Sequence, residues 1–141
     1  MSTPAGARLA LDTNVVISAL LSAHRAPAIL LDLTLAGELT LLADDRILAE
    51  YREVARRPKF ALEATQLNRV FAALEAIAER IVPHPLAIEL LDPDDLPFLE
   101  LAIAGHADAL VTGNARHFRS GRTAHPVPIL TPREMLDRLR R

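Results

Sequence analysis

The segment RLALDTNVVIS, residues 8–18, restricts the fold more than any other stretch of the chain. Residues 9–11 are apolar without alternation, the pattern of a strand buried on both faces of a parallel sheet. The run stops at Asp12, and after Thr13 and Asn14 an apolar helical pattern begins. Strand, acidic turn and helix in that order put a carboxylate at the carboxyl end of a strand, where open parallel sheets bind their ligands. An acid carried there costs folding free energy unless something positive meets it. What else converges on Asp12 then decides what the chain does.

Residues 1–7 are expected to form a flexible lead. A first helix is predicted over 14–21. A second begins at Ala26, with Pro27 in its first turn where the missing N–H costs nothing, and ends at Gly37 as a C′ glycine. A strand follows at 39–43. Asp44 or Asp45 caps a third helix, which turns Ile47, Leu48, Tyr51, Val54 and Ala55 inward and stops before Pro58. Leu67, Val70, Phe71, Leu74, Ile77, Ala78 and Ile81 fall at i, i+3, i+4, i+7, i+10, i+11 and i+14, which predicts one long helix over 63–81. Pro83 and Pro85 break the chain, and 87–91 is a candidate extended segment. Asp92-Pro93-Asp94-Asp95 leads into a helix through Ala104, closed by Gly105. A buried strand at 109–112 ends in Gly113-Asn114, and 116–122 is a loop or single turn. Pro128 places the last strand, 127–130, at a sheet edge. Thr131-Pro132-Arg133-Glu134 is a capping box opening a C-terminal helix. Strands alternating with helices predict one domain over 1–141, a three-layer α/β/α fold around a central parallel sheet.

Composition removes several alternatives. Half of the 141 residues are hydrophobic, too many for a disordered chain. The absence of cysteine excludes disulfides and thiolate metal sites and fits a reducing cytoplasm. No apolar run approaches the length of a bilayer span, and MSTPAGAR has no signal-peptide architecture. Sixteen basic against eighteen acidic residues leave no domain-wide basic footprint for nucleic acid, so basic patches must be local. The five histidines show no paired metal spacing, and there is neither a glycine-rich phosphate loop nor a GxSxG nucleophile elbow.

Three further positions draw attention. Glu50 lies three residues after Ile47 and four before Val54, at the border of its helix's buried stripe. It is either a boundary carboxylate reaching water or a ligand. Asp95, Phe98, Leu99, Ala102 and Ile103 fall at i, i+3, i+4, i+7 and i+8, so this acid continues an apolar face. It is either an N-cap or, if Asp94 caps instead, a group aimed at the sheet. Asp92 is a turn or cap residue within reach of the same mouth. Asn114 follows a buried strand, either as an ordinary turn residue or as a polar group that orients water near Asp12. Asp108 begins its strand at the opposite end of the sheet and is expected to be solvated. Carboxylates from three elements gathered at one sheet end repel one another, and a divalent cation relieves that repulsion. All-oxygen donors suit Mg²⁺ or Mn²⁺. Such an ion activates water and neutralises phosphodiester charge.

On these residues the chain resembles the PIN-domain nucleases, in particular the branch related to VapC toxins. LALDTNVVISALL, DDRILAEYREV and DPDDLPFLELAIAGHADALVTGN carry the likeness, which runs nearly end to end. The resemblance implies a compact α/β/α fold, Mg²⁺- or Mn²⁺-dependent cleavage of RNA, inhibition by a small cognate antitoxin protein, and a homodimer. By position, Asp12, Glu50 and Asp95 match the family's first three metal-binding acids, and Asn14 and Thr112 match accessory polar positions. Asn114 stands where the family usually has Asp. It keeps a carbonyl oxygen but brings no charge, which weakens a second metal site most.

An RNA strand needs positive charge beside the acids. Arg116, His117, Arg119 and Arg122 follow Asn114 directly. Arg52, Arg56, Arg57 and Lys59 end the third helix, where cations also complement the helix dipole. With few aromatics in the chain, backbone contacts are expected rather than base stacking. Two other classes compete with a toxin ribonuclease. One is an RNA- or protein-binding module disabled by Asn114. The other is a phosphotransfer protein, disfavoured because Asn14 stands where a second acid would and because Lys59 is the single lysine.

Overall fold

The computed structural model describes residues 6–87, 90, 92–119 and 127–140. Strands β1 (Arg8–Leu11), β2 (Thr40–Ala43), β3 (Glu79–Arg80), β4 (Ala109–Val111) and β5 (Ile129–Leu130) form one parallel sheet in the order β3-β2-β1-β4-β5. β1 is central, with Leu9 opposite Leu41 on one side and Ala109 on the other. Leu9, Ala10, Leu11, Leu41, Leu42, Leu110 and Val111 are almost fully buried, as unalternating strands between two helical layers should be. The chain moves outward from β1 to β2 and later crosses back to β4 on the other side. The crevice outside the carboxyl ends of β1 and β4 is therefore the topological switch point, the ligand position of such sheets.

Helices α1 (Thr13–Leu21), α2 (Ala26–Leu35), α3 (Asp45–Ala55), α4 (Ala64–Ile77), α5 (Leu96–Ala104), α6 (Ala115–Arg119) and α7 (Pro132–Leu139) flank the sheet. α5 packs on β1, β2 and β4, while α2 lies against α1 and α7. Local chemistry sets the ends. The Asp44 carboxylate accepts the Ile47 N–H at 3.1 Å, Glu63 accepts from Thr65 and Gln66, and Thr131 with Glu134 forms the expected capping box. Among the described residues no single helix is long and apolar enough to cross a membrane.

Four expectations change. Residues 1–5 of the expected lead lie outside the described residues, but Gly6 donates to the Glu38 carbonyl, the Ala7 carbonyl accepts from Thr40, and Ala7 is buried. The long helix stops at Ile77, because Ala78 is extended and residues 79–80 add β3 to the sheet edge. Ile81 kept the helical spacing, but its N–H bonds the Ala43 carbonyl at 2.9 Å. Its apolar side chain thus reaches the core from a sheet edge. Glu79 pairs with Arg8 and Arg80 with Asp45. Asp108 is half-buried rather than simply solvated: its carboxylate accepts the Arg8 N–H at 2.7 Å. The candidate extended segment 87–91 lies only partly within the described residues, and no strand is found at Ala87 or Leu90.

Gly105 closes α5 with φ −89°, and the left-handed residue is His106 at φ 52°. Glycine is needed at 105 for space. A Cβ there would stand 2.8 Å from Leu42 Cδ1, 3.1 Å from Ile81 Cγ1 and 3.1 Å from the Leu101 carbonyl oxygen. Leu42 is fully buried and cannot move aside freely. Gly105→Ala should therefore destabilise the fold by about 1–3 kcal/mol, read as a lower denaturant midpoint at unchanged slope; an unchanged midpoint contradicts this packing.

Candidate functional site

Asp12 ends β1 and starts α1. Its N–H donates to the Val111 carbonyl at 2.9 Å, and its own carbonyl accepts the Val15 N–H at 3.0 Å. The carboxylate thus sits at the sheet's carboxyl edge, only 6 % exposed. Oδ2 accepts from the Thr112 hydroxyl at 2.7 Å and from Asn14 Nδ2 at 3.2 Å. Thr112 Oγ1 in turn accepts the Asn114 N–H at 3.0 Å, and Asn14 Oδ1 accepts the Gly113 N–H at 3.1 Å. The turn after β4 and the first turn of α1 are stitched together around one carboxylate. Burial raises the Asp12 pKa above the ordinary value. Hydrogen bonds from Thr112 and Thr13 oppose that rise, and the charges of Glu50 and Asp92 add to it.

Glu50 reaches the same place from α3, where it accepts the Thr13 hydroxyl. The next residue, Tyr51, is fully buried and donates its hydroxyl to the Leu11 carbonyl at 2.5 Å. Burial pushes its phenol well above the usual range, with Asp12 and Glu50 adding to the shift. β1 pairs with β2 through Arg8 and Leu9, and beyond them Tyr51 supplies the donor that Leu11 receives. The third acid comes from the turn before α5. Asp92, not Asp94, caps this turn, accepting the Asp94 N–H at 2.9 Å. Asp95 makes no side-chain cap to α5, while Phe98, Leu99 and Ala102 are buried as their spacing predicted.

Six of the seven acid and polar candidates, Asp12, Asn14, Glu50, Asp92, Asp95 and Asn114, line one cleft of about 410 Å³. Thr112 sits directly behind Asp12. The remaining wall holds Thr13 and Ser18 with the apolar residues Ile17, Leu21, Val54 and Phe60. Among the described residues no three His, Cys, Asp or Glu side chains are gathered closely enough to hold a metal ion as they stand. The donor set nevertheless fits a hard divalent cation in kind. It is all oxygen, it includes a desolvated carboxylate, and the charges of Glu50 and Asp92 raise the cost of charging Asp12. Sequence spacing missed Thr13 and Tyr51, each adjacent to an acid, and Phe60, which is distant from the motifs.

The basic residues divide. Arg116 is exposed on α6, directly after Asn114; the side chains of His117 and Arg119 lie outside the described residues. Arg52 is committed elsewhere, in an ion pair with Glu75 at 2.7 Å and 5.5 Å from the Phe71 ring centroid. Arg56, Arg57 and Lys59 remain exposed. An unforeseen network lies behind the site. Buried Glu100 accepts from Arg46 at 2.8 Å and from the Leu86 N–H at 2.9 Å, and Arg46 also pairs with Asp44. It joins α3, which carries Glu50, to α5 and to the connection that delivers Asp92 and Asp95.

The family described as PIN domain matches residues 8–116. Among solved structures, the crystal structure of VapBC2 from Rickettsia felis bound to a DNA fragment from their promoter is similar with a TM-score of 0.59. The match covers 88 % of this chain and 98 % of that chain at 18 % identity, a likeness of fold. No curated protein matches the chain.

A buried carboxylate without a cation is a local cost. Asp12→Asn should therefore stabilise the metal-free protein at neutral pH by about 0.5–2 kcal/mol. Because the Asp12 pKa is raised, the gain should be full above it and fade as pH falls and the wild-type carboxyl takes its proton. In thermal melts Mn²⁺ should raise the wild-type Tm and leave the variant's unchanged. Equal apparent stability and equal Mn²⁺ response would sink this view of Asp12.

Proposed function

The chain belongs to the PIN-domain family, and from that premise we propose that it is a divalent-metal-dependent endoribonuclease, the toxin component of a type II toxin–antitoxin system. The observation that carries the reading is the meeting of Asp12, Glu50 and Asp95, from three elements, in one cleft at the topological switch point. Asp12, Glu50 and Asp95 would hold Mg²⁺ or Mn²⁺. When bound, that ion supplies charge neutralisation for a phosphodiester and activation of water.

The chain's own residues then have separable tasks. Thr112 and Asn14 fix the Asp12 carboxylate through Oδ2 at the wall of the cleft. Thr13 orients Glu50. Asn114 offers the cleft a neutral amide, able to orient water or phosphate oxygen without adding charge. Arg116, with His117 and Arg119 beside it in sequence, supplies the positive side along which a strand's phosphates are held. The similarity in fold to a chain of the VapBC2 complex supports a cognate antitoxin as partner. A homodimer and a cytoplasmic location complete the proposal. Asn114 favours one second reading, a module that binds RNA or protein without cutting it.

Purified protein, mixed RNA and Mg²⁺ or Mn²⁺ test the two readings. Cleavage should vanish with EDTA and fall at least about 100-fold, or 2.7 kcal/mol in the barrier, in Asp12→Ala. Thr112→Val should weaken the apparent metal affinity about 10- to 100-fold, as loss of a ligand's supporting hydrogen bond does. Wild-type protein that stays silent across a cation titration, with cleavage appearing in Asn114→Asp, favours the binding module.

A further inference from the structure

We propose that the apolar wall of the cleft is a stacking site for one unpaired base of a single-stranded RNA, with Phe60 as its platform. This rests on the nuclease reading and adds to it a determinant of where the strand is held. The wall is continuous with the acids. Val54 is one turn beyond Glu50 on α3, and Ile17 and Leu21 lie one and two turns beyond Asn14 on α1. At 1.5 Å per residue these separations are about 5–10 Å along the helices. Leu21 is 48 % exposed although it belongs to a helix packed on the core. Phe60, itself half-buried, lines the same cleft.

The backbone that presents Phe60 is unusual. Pro58–Phe60 is a single 3₁₀ turn, closed by Ala61 in the left-handed region at φ 50°, ψ 36°. Alanine pays a steric cost there that glycine does not. Backbone strain of this kind persists where the surroundings hold it, commonly at ligand sites. The turn also carries cations: the Lys59 ammonium lies 5.1 Å from the Phe60 ring centroid, and Arg56 and Arg57 are exposed just before it. An aromatic ring in the same cleft as the acids, with an ammonium over the ring and two exposed arginines just before it, suits a nucleotide whose phosphate lies toward the acids and whose base lies on the ring's other face. Aromatic stacking with cationic backbone contacts is how proteins hold single strands. The scarcity of aromatics in the sequence predicted no such contact, yet Phe60 lines the cleft.

Binding is measured with Asp12→Ala protein, which leaves RNA uncut, and short single-stranded RNAs carrying 2-aminopurine at each position in turn. One position should show fluorescence quenching on binding. Phe60→Leu, which keeps apolar bulk and removes the π face, should lose that quenching and weaken binding roughly 5- to 150-fold, while Phe60→Tyr should restore both. In the otherwise wild-type protein, Phe60→Leu should shift the cleavage pattern while the Mn²⁺-induced rise in Tm is kept. Equal affinity and quenching in Phe60→Leu, with RNA still bound and cut, overturn the stacking site alone. No RNA binding by any variant overturns it together with the nuclease reading.

Discussion

The Asp12 carboxylate at the carboxyl end of β1 is the constraint to which the rest of the structure answers. It is desolvated between β1 and β4, and burial dominates its raised pKa. Thr112 and Asn14 hold it, yet both are neutral donors. A charge buried with only neutral partners is tolerated at a functional site and selected against elsewhere. The parallel order β2-β1-β4 makes this position a crevice rather than a core.

The other acids reach Asp12 because the fold is pinned around it. Tyr51 anchors α3 on the Leu11 carbonyl, one residue before Asp12, and so sets Glu50 against Thr13. Glu100 and Arg46 fasten α3 to α5 and to Leu86. These bonds are buried or half-buried, where a lost partner leaves an unsatisfied group costing about 1–3 kcal/mol. The site is therefore a pre-shaped cleft in which the charges of Glu50 and Asp92 oppose that of Asp12, with no three acids drawn together among the described residues. This is the condition in which a cation adds stability to the folded state by mass action.

Much of this was legible in the sequence because period and punctuation agreed with tertiary structure. Unalternating runs gave β1, β2 and β4; Asp44, Gly37 and the Thr131–Glu134 box marked helix ends. Asp12, Glu50, Asp95 and Asn114 were found by their offsets from apolar stripes and strand ends, and they do line one cleft. The misses share a cause. β3 was absorbed into α4 because Ala78 and Ile81 happen to continue a 3.6-residue period, while the pairing that makes them a strand edge is long-range. Asp108 looked like a solvated acid because its partner, the Arg8 N–H, is a backbone group distant in sequence; Glu100 was not singled out, since its partners Arg46 and Leu86 are brought to it only by the fold. Phe60 reaches the cleft only through the turn geometry ending at Ala61.

The central claim is that Asp12, with Glu50 and Asp95, is a divalent-cation site. Its most direct test is anomalous scattering from crystals of the protein grown with Mn²⁺. The account predicts a manganese peak in coordination contact with the Asp12 carboxylate, with Glu50 or Asp95 contributing to the same ion. Manganese absent from the cleft at saturating concentration, or bound only away from Asp12, would contradict it.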